Sequence, residues 1–94
     1  MYKVTSLKIV GPYTLELGFD DGAIQIVDFA SVLFGEMLHP LRDLTLFNSV
    51  RIDPEIHTIV WANGADFDPA LLRHWEEHVD ELSRRAQEWE SIER

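Results

Sequence analysis

The stretch YTLELGFDDGAIQIVD, residues 13–28, decides the fold, because it has the pattern of two β-strands joined by a tight turn. Apolar residues alternate with polar or small ones before the turn, the period of a strand that buries one face. Asp21-Gly22 tolerates the positive φ angles that a two-residue hairpin turn requires. Upstream, residues 4–10 predict a first strand that ends at Gly11-Pro12.

The turn also predicts how the two strands face each other. A two-residue loop pairs Phe19 with Ile24 and Leu17 with Ile26, so four apolar side chains share one face of the hairpin. A three-residue loop pairs Leu17 with Gln25 instead. Because register is strongly specified where one face is buried, the sequence favours the two-residue loop.

Short helical turns and a second hairpin are predicted for the middle of the chain. Residues 31–38 have helix-like apolar spacing that Pro40 interrupts, and residues 41–47 predict another turn. A second hairpin is predicted around Asp53-Pro54-Glu55. Its bend places His57 where histidine tolerates a left-handed conformation but glycine suits it better. The apolar positions of that hairpin are Val50, Ile52, Ile59 and Trp61.

One long helix is predicted from residue 69 to about residue 92. Asp68 is a good N-cap, and Pro69 suits the first helical position, where its missing N–H is not needed. Apolar residues follow at intervals of three and four, which is a heptad seam; they are Leu72, Trp75, Val79, Leu82, Ala86 and Trp89. The helix is longer than the strands, so its second half should leave apolar residues in water. We therefore expect a homo-oligomer, a dimer or larger, whose interface contains Val79, Leu82, Ala86 and Trp89.

The fold class that follows is α+β. We expect a small antiparallel sheet of about five strands in two hairpins, a short central helix and a long C-terminal helix. Ninety-four residues fit a single domain, 1–94. In it, residues 1–68 form a sheet-rich core and residues 69–92 form a helix that extends beyond it.

Charge and composition exclude several classes of function. The chain has 17 acidic and 8 basic residues, a net charge of −9, so a nucleic acid or an anionic membrane surface is a poor partner. A basic protein is the partner that this charge favours. Cysteine is absent, which excludes disulfides and thiolate chemistry. We expect a cytoplasmic protein that needs no cofactor.

His74, Glu77 and His78 fit the H-x-x-E-H spacing of one class of zinc peptidase. A catalytic zinc needs a third protein ligand and a sheltered open position, and the sequence downstream is mostly the same helix. We therefore interpret the two histidines as part of a solvated helix face and predict no metal site. With no G-x-S-x-G elbow and no glycine-rich phosphate loop in the sequence, we predict that the protein is not an enzyme.

The segment WANGADFD, residues 61–68, is the best candidate binding loop. Three of its side chains carry oxygen atoms that could hold a cation. Each also has a local structural role, since Asn63-Gly64 makes a turn, Asp66 can bond nearby backbone N–H groups and Asp68 caps the helix. Trp61 is expected to pack in or beside the core. The candidate binding residues are Trp61, Asn63, Gly64, Asp66 and Asp68.

Several short motifs also resemble a known family over about residues 3–72. They are Phe19-x-Asp21-Gly22, Val27-Asp28, Leu41-Arg42-Asp43 with Phe47, and Trp61-x-Asn63-Gly64-x-Asp66-x-x-Pro69. In this order they are similar to the small prokaryotic proteins called domain of unknown function 2442. The chain departs from the family at Ala62, where proline is common, and at His57, where glycine is frequent.

The resemblance implies a small α+β domain with an antiparallel sheet and no established catalytic activity. Some family members are similar to companions of another small protein in toxin–antitoxin-like gene pairs. We therefore expect a non-enzymatic protein-binding or regulatory module, with an antitoxin-like pairing to a basic partner as one form. The alternative is a small-ligand or metal-binding domain that uses the 61–68 loop.

Overall fold

A computed structural model describes the backbone of residues 1–93 and the side chains of residues 1–88. The fold is α+β, with a three-stranded antiparallel sheet, a separate two-stranded hairpin and a C-terminal helical region. The strands are β1 (Val4–Gly11), β2 (Thr14–Phe19), β3 (Ile24–Asp28), β4 (Arg51–Asp53) and β5 (Thr58–Val60). The helices are α1 (Leu44–Phe47), α2 (Pro69–Arg73) and α3 (Trp75–Glu93), and two 3-10 turns are Ala30–Val32 and His39–Arg42.

The predicted hairpin of β2 and β3 forms, but its predicted register is wrong. Leu17 lies opposite Gln25 and Gly18 lies opposite Ile24, so the loop has three residues. Gly22, with φ of 87°, closes the loop as the left-handed residue that follows a tight turn. This one-residue shift turns Ile24 and Ile26 away from the core, and they are 64% and 55% exposed.

One apolar core lies between the sheet and the helical segments. From β2 it takes Leu15, Leu17 and Phe19, which alternate toward the same face. Phe29 is at its centre, with ring centroids 5.2–5.8 Å from four other aromatic rings. These four are Phe47, Trp61, Phe67 and Trp75. Such tilted and edge-on contacts stabilise a pair by about 0.5–1.5 kcal/mol beyond the burial of its surface.

The second hairpin forms as predicted around its bend, with Ile52 opposite Ile59. His57 has φ of 57°, which confirms the left-handed conformation expected there. Its carbonyl oxygen accepts a hydrogen bond from the backbone N–H of Val4, at 2.9 Å, and this bond ties the hairpin to β1.

The prediction of a single long C-terminal helix is wrong, because the helix is broken at His74. The backbone of His74 leaves the helical region, with φ of −112° and ψ of 35°. A side-chain amide from the sheet supports the break, since Gln25 Nε2 donates to the carbonyl oxygen of Arg73 at 3.4 Å. Immediately after the break, Trp75 packs against Phe29 and Phe67.

The expectation that the second half of the helix leaves its apolar residues in water is wrong for Leu82 and Ala86. Leu82 packs against the core and Ala86 is 8% exposed. Helix α3 crosses the Ala30–Val32 turn, where the hydroxyls of Ser31 and Ser83 are 2.7 Å apart. The side chain of Trp89 lies outside the described residues. The homo-oligomer therefore stays a prediction, without the exposed row that motivated it.

Candidate functional site

The 61–68 loop is a tight turn held by its own backbone. The Trp61 N–H donates to the carbonyl oxygen of Ala65, and the Gly64 N–H donates to that of Trp61, both at 2.9 Å. Gly64 has φ of 88°, which L-residues with a side chain rarely adopt. The Asn63 side chain fixes the turn from both ends, since its Oδ1 accepts from Ala65 N and its Nδ2 donates to Met37 O. Asn63 and Gly64 are thus occupied in shaping the loop.

Trp61 is part of the core, as expected from the sequence. Its side chain is 2% exposed, and the indole Nε1–H donates to the carbonyl oxygen of Phe47 at 2.8 Å. A ligand at the surface has no access to a ring enclosed in this way. Of the five candidate binding residues, Trp61 therefore belongs to the support beneath the site.

Asp68 caps α2, as predicted. Its Oδ1 accepts a hydrogen bond from the Ala70 N–H at 2.8 Å, and Pro69 occupies the first helical position. The carboxylate thus satisfies one of the backbone donors that every helix start leaves unpaired.

Asp66 differs from its neighbours because no local role accounts for its side chain. Its backbone forms a single bridge with Val60, which places the residue at the edge of the second hairpin. The side chain is exposed, and among the described contacts its carboxylate accepts no hydrogen bond and forms no ion pair. The bonds to nearby backbone N–H groups expected from the sequence are therefore absent at Asp66.

Beside this carboxylate lies an open groove of about 680 Å³. One wall is formed by the start of the chain and the bend of the second hairpin, and the other by the 61–68 loop and the first turn of α2. Its lining residues are Met1, Tyr2, Ile56, Thr58, Asp66, Phe67, Asp68, Pro69 and Ala70. Apolar side chains dominate this set, and its two charged side chains, Asp66 and Asp68, are both carboxylates. The groove suits a ligand with an apolar body and a positive charge.

The walls of the groove are fixed by hydrogen bonds from distant parts of the chain. The Thr58 hydroxyl, which is buried, donates to the carbonyl oxygen of Phe67 at 2.6 Å. Tyr2 is held against the start of α3, since its hydroxyl lies 3.2 Å from His74 Nε2. Lys3 N donates to the Asp20 carboxylate at 3.0 Å, which fixes the chain next to Tyr2. The groove is therefore formed before any ligand binds.

The histidine pair lies at the surface of the helical region. His74 Nδ1 lies 3.1 Å from Glu77 Oε2, and its other ring nitrogen faces the Tyr2 hydroxyl, so both nitrogens have partners. His78 is exposed on α3. No group of three potential metal ligands of the His, Cys, Asp or Glu type occurs in the part of the chain that the structure describes.

The sequence did not identify the apolar side of the groove. Tyr2 is far from the 61–68 loop along the chain, and the contact of β1 with the second hairpin brings it there. Ile56 lies in the bend of that hairpin, whose strand β5 leads into the loop. Ile56 carried a usable signal, because an isoleucine in a bend next to Asp53-Pro54-Glu55 is unusual for a solvated turn. It is 47% exposed.

Comparison with known proteins gives one family match. The model of the family described as Protein of unknown function (DUF2442) matches residues 4–78. That range contains β1 to α2, the 61–68 loop and the first residues of α3. No curated protein and no solved structure matches the chain. In the described residues, no helix has the length and apolar character needed to cross a membrane.

Proposed function

We propose that this chain, which belongs to the DUF2442 family, is a non-enzymatic module that binds a partner protein through the groove beside the 61–68 loop. The observation that carries the proposal is the exposed carboxylate of Asp66, which has no partner among the described residues, at the rim of a groove with apolar walls. The partner supplies a segment with an apolar side chain for the groove and a lysine or arginine for Asp66. An antitoxin-like pairing with a basic protein is one form of this function.

Charge and apolar surface have different roles in this proposal. The net charge of −9 attracts a basic partner from a distance and raises the association rate. Contact with Ile56 and Pro69 excludes water around the charged pair, and an ion pair is stronger where water is excluded. An arginine suits Asp66 best, because its planar guanidinium can donate two hydrogen bonds to one carboxylate.

The non-enzymatic part of the proposal rests on the environment of the two carboxylates. Acid–base catalysis by a carboxylate pair requires surroundings that push the two pKa values apart. Asp68 is engaged in capping, and Asp66 faces solvent at an open rim. The proposal therefore assigns Asp68 to capping and Asp66 to partner binding.

The proposal is tested by recovering the partner from a lysate of the source organism with immobilised protein. Asp66→Asn keeps the shape of the side chain and removes its charge, and Ile56→Asp makes the apolar wall polar. We expect each change to reduce recovery of a specific basic protein by about tenfold or more, since a charge-assisted hydrogen bond contributes about 1.5–3 kcal/mol. Asp80→Asn, an exposed change on α3, is the control and should leave recovery unchanged. Equal recovery by all variants contradicts the proposal.

A small organic cation is the second candidate ligand, and the size of the groove is the observation that favours it. Small-molecule sites typically measure about 300–1,000 Å³, and the groove falls within this range at about 680 Å³. A thermal-shift screen of amines, with calcium and magnesium included, separates the two candidates. A ligand at a hundred times its dissociation constant adds about 2.7 kcal/mol of stability, and Asp66→Asn should abolish that gain.

A further inference from the structure

The outer edge of β3 has free backbone hydrogen-bonding groups. In an antiparallel pair, residues alternate between those that bond the neighbouring strand and those that point away from it. The Phe19 N–H donates to the Ala23 carbonyl oxygen at 3.0 Å, and the Phe29 N–H donates to the Tyr13 carbonyl oxygen at 2.8 Å. The backbone groups of Ala23 and Phe29 therefore point toward the β2 side. By alternation, the backbone N–H and C=O groups of Gln25 and Val27 also point toward β2. The N–H and C=O groups of Ile24, Ile26 and Asp28 therefore point away from the sheet, and no backbone partner for them occurs within the described residues.

The side chains along this edge are apolar and exposed. Ile24 and Ile26 are the two most exposed isoleucines of the described chain, at 64% and 55%, and they lie on the face opposite the core. Gly18 and Glu16 are their cross-strand neighbours on β2. Because Gly18 has no side chain, Ile24 has little contact on that face. An incoming strand therefore finds free main-chain groups and apolar side chains at the same place.

β3 lacks the sequence features that usually prevent an edge strand from pairing with another chain. Natural edges carry lysine, proline or a bulge. The strand Ile-Gln-Ile-Val-Asp has neither lysine nor proline, and the irregularities of the sheet lie in the pairing of β1 with β2. The other edge, β1, has both bulges and Lys8, and its Val4 N–H is already bonded to His57. In the described residues, β3 has none of these features along its outer edge.

The charges around the edge decide what can pair with it. Asp28 lies at one end of β3, and Glu76 and Glu77 line a polar depression with Ile24 and Gln25 at the other. Arg73 also lines this depression, but its guanidinium is engaged by Asp21, since Arg73 Nε lies 3.0 Å from Asp21 Oδ2. The edge is therefore acidic at both ends and apolar between them.

A second copy of the chain fits this edge poorly. Antiparallel pairing of two β3 strands about Ile26 places Asp28 of each copy opposite Ile24 of the other. Each Asp28 then approaches the Glu76 and Glu77 of the other copy, and like charges brought together in a sheet are destabilising. A strand of opposite charge has no such penalty.

We propose that the free edge of β3 binds an extended segment of a partner protein by strand addition. The partner strand has β-branched apolar residues across from Ile24 and Ile26, and a lysine or arginine across from Asp28. A second basic residue, across from Gln25, faces Glu76 and Glu77. This surface is distinct from the groove, and the inference rests on the proposed function only in taking the partner to be a protein.

A synthetic peptide containing Lys-Thr-Val-Lys-Val, antiparallel to β3, is the probe, and amide hydrogen exchange followed by NMR is the readout. In the free protein, the Ile24, Ile26 and Asp28 amides should exchange faster than those of Gln25 and Val27. Saturating peptide should slow exchange at Ile24 and Ile26 by about tenfold or more, because bonded amides exchange only after local opening. A counterpart with glutamate in place of lysine should not protect them.

Variants at isoleucines of similar exposure separate strand addition from nonspecific binding of the peptide to apolar surface. Ile26→Lys introduces a like charge toward the peptide and should abolish the protection. Ile9→Lys, at an isoleucine of β1 that is 44% exposed, should leave it intact. A peptide N-methylated on the amides that face the edge should also fail on the unmodified protein, so the test stands even if Ile26→Lys does not fold.

Four results overturn the inference. The first is unchanged exchange at Ile24 and Ile26 in saturating basic peptide, and the second is equal protection by the acidic counterpart. The third is protection of these amides in the free protein, which indicates a second copy at the edge. In the fourth, NMR shifts appear only at Asp66 and Ile56 and are lost in Asp66→Asn, a result that supports the groove of the proposed function while removing β3 from it.

Discussion

Replacing Trp61 tests whether the tryptophan of the family-like loop is a support for the core or a surface for a ligand. Trp61→Phe keeps an aromatic ring against Phe29, Phe47 and Phe67, whose centroids lie 5.6, 5.6 and 5.9 Å away. It removes the indole N–H that donates to the carbonyl oxygen of Phe47. It also leaves a small void in a core where the side chain is 2% exposed.

The magnitude follows from these two losses. An unpaired buried acceptor costs about 1–3 kcal/mol, and here the lower end applies, because Val50 N also donates to the Phe47 carbonyl at 3.3 Å. The void adds about 1 kcal/mol. We therefore expect Trp61→Phe to lower the free energy of unfolding by about 2 kcal/mol, from a total of about 5–14 kcal/mol for a chain of this length.

Urea denaturation followed by circular dichroism measures this change. With a slope of about 1–3 kcal/mol per molar urea, the midpoint should fall by about 0.7–2 M. Trp75→Phe is the matched control, since Trp75 is 4% exposed and its indole N–H donates no hydrogen bond among the described contacts. It should lower the free energy of unfolding by only about 1 kcal/mol. Equal shifts for the two variants refute the role of the Phe47 hydrogen bond, and an unchanged Trp61→Phe midpoint refutes the core assignment.

Three further predictions concern the helix cap, the hairpin tip and assembly. Asp68→Ala should lower the free energy of unfolding by about 0.5–2 kcal/mol in urea melts, and Asp68→Asn, which also caps, should change it little; equal melts for wild type and the alanine variant refute the cap. The pKa of Asp21 lies below its ordinary value of 3.8, chiefly because the backbone N–H of Ala23 donates to its carboxylate, with the Arg73 guanidinium adding to the effect. Because the pKa of Asp21 is lower in the folded state, its ionised carboxylate stabilises the fold above pH 3.8. This stabilisation is lost as the pH falls through the pKa of the folded state. The difference in unfolding free energy between wild type and Asp21→Asn should therefore shrink in acid melts below that pH, and a difference that grows there contradicts the assignment. Light scattering coupled to gel filtration should show a dimer or larger at micromolar concentration, as predicted from the C-terminal helix, and a monomer across that range rejects it.

The helix cap and the turn of the family-like loop were predictable from sequence because these two features are local. Asp68 bonds a backbone N–H two residues away, and Gly64 takes a positive φ inside its own turn. Such contacts depend on residue type and spacing, which sequence carries directly. The groove beside the loop was not predictable, since Tyr2 reaches it only through the contact of β1 with the second hairpin.

The sequence by itself determined where the strands and turns form, since the alternation before Asp21-Gly22 and the cap at Asp68 act within a few residues. Only the tertiary structure decided the register of β2 with β3 and the break at His74. Asp21-Gly22 is compatible with loops of two and of three residues, and in the observed register Val27 is buried in the core while Ile24 and Ile26 lie at the surface. The helix breaks where Gln25, 48 positions away from Arg73 in the chain, donates to its carbonyl oxygen. Both outcomes depend on contacts between segments far apart in sequence, and local periodicity carries no information about which distant surface a residue will meet.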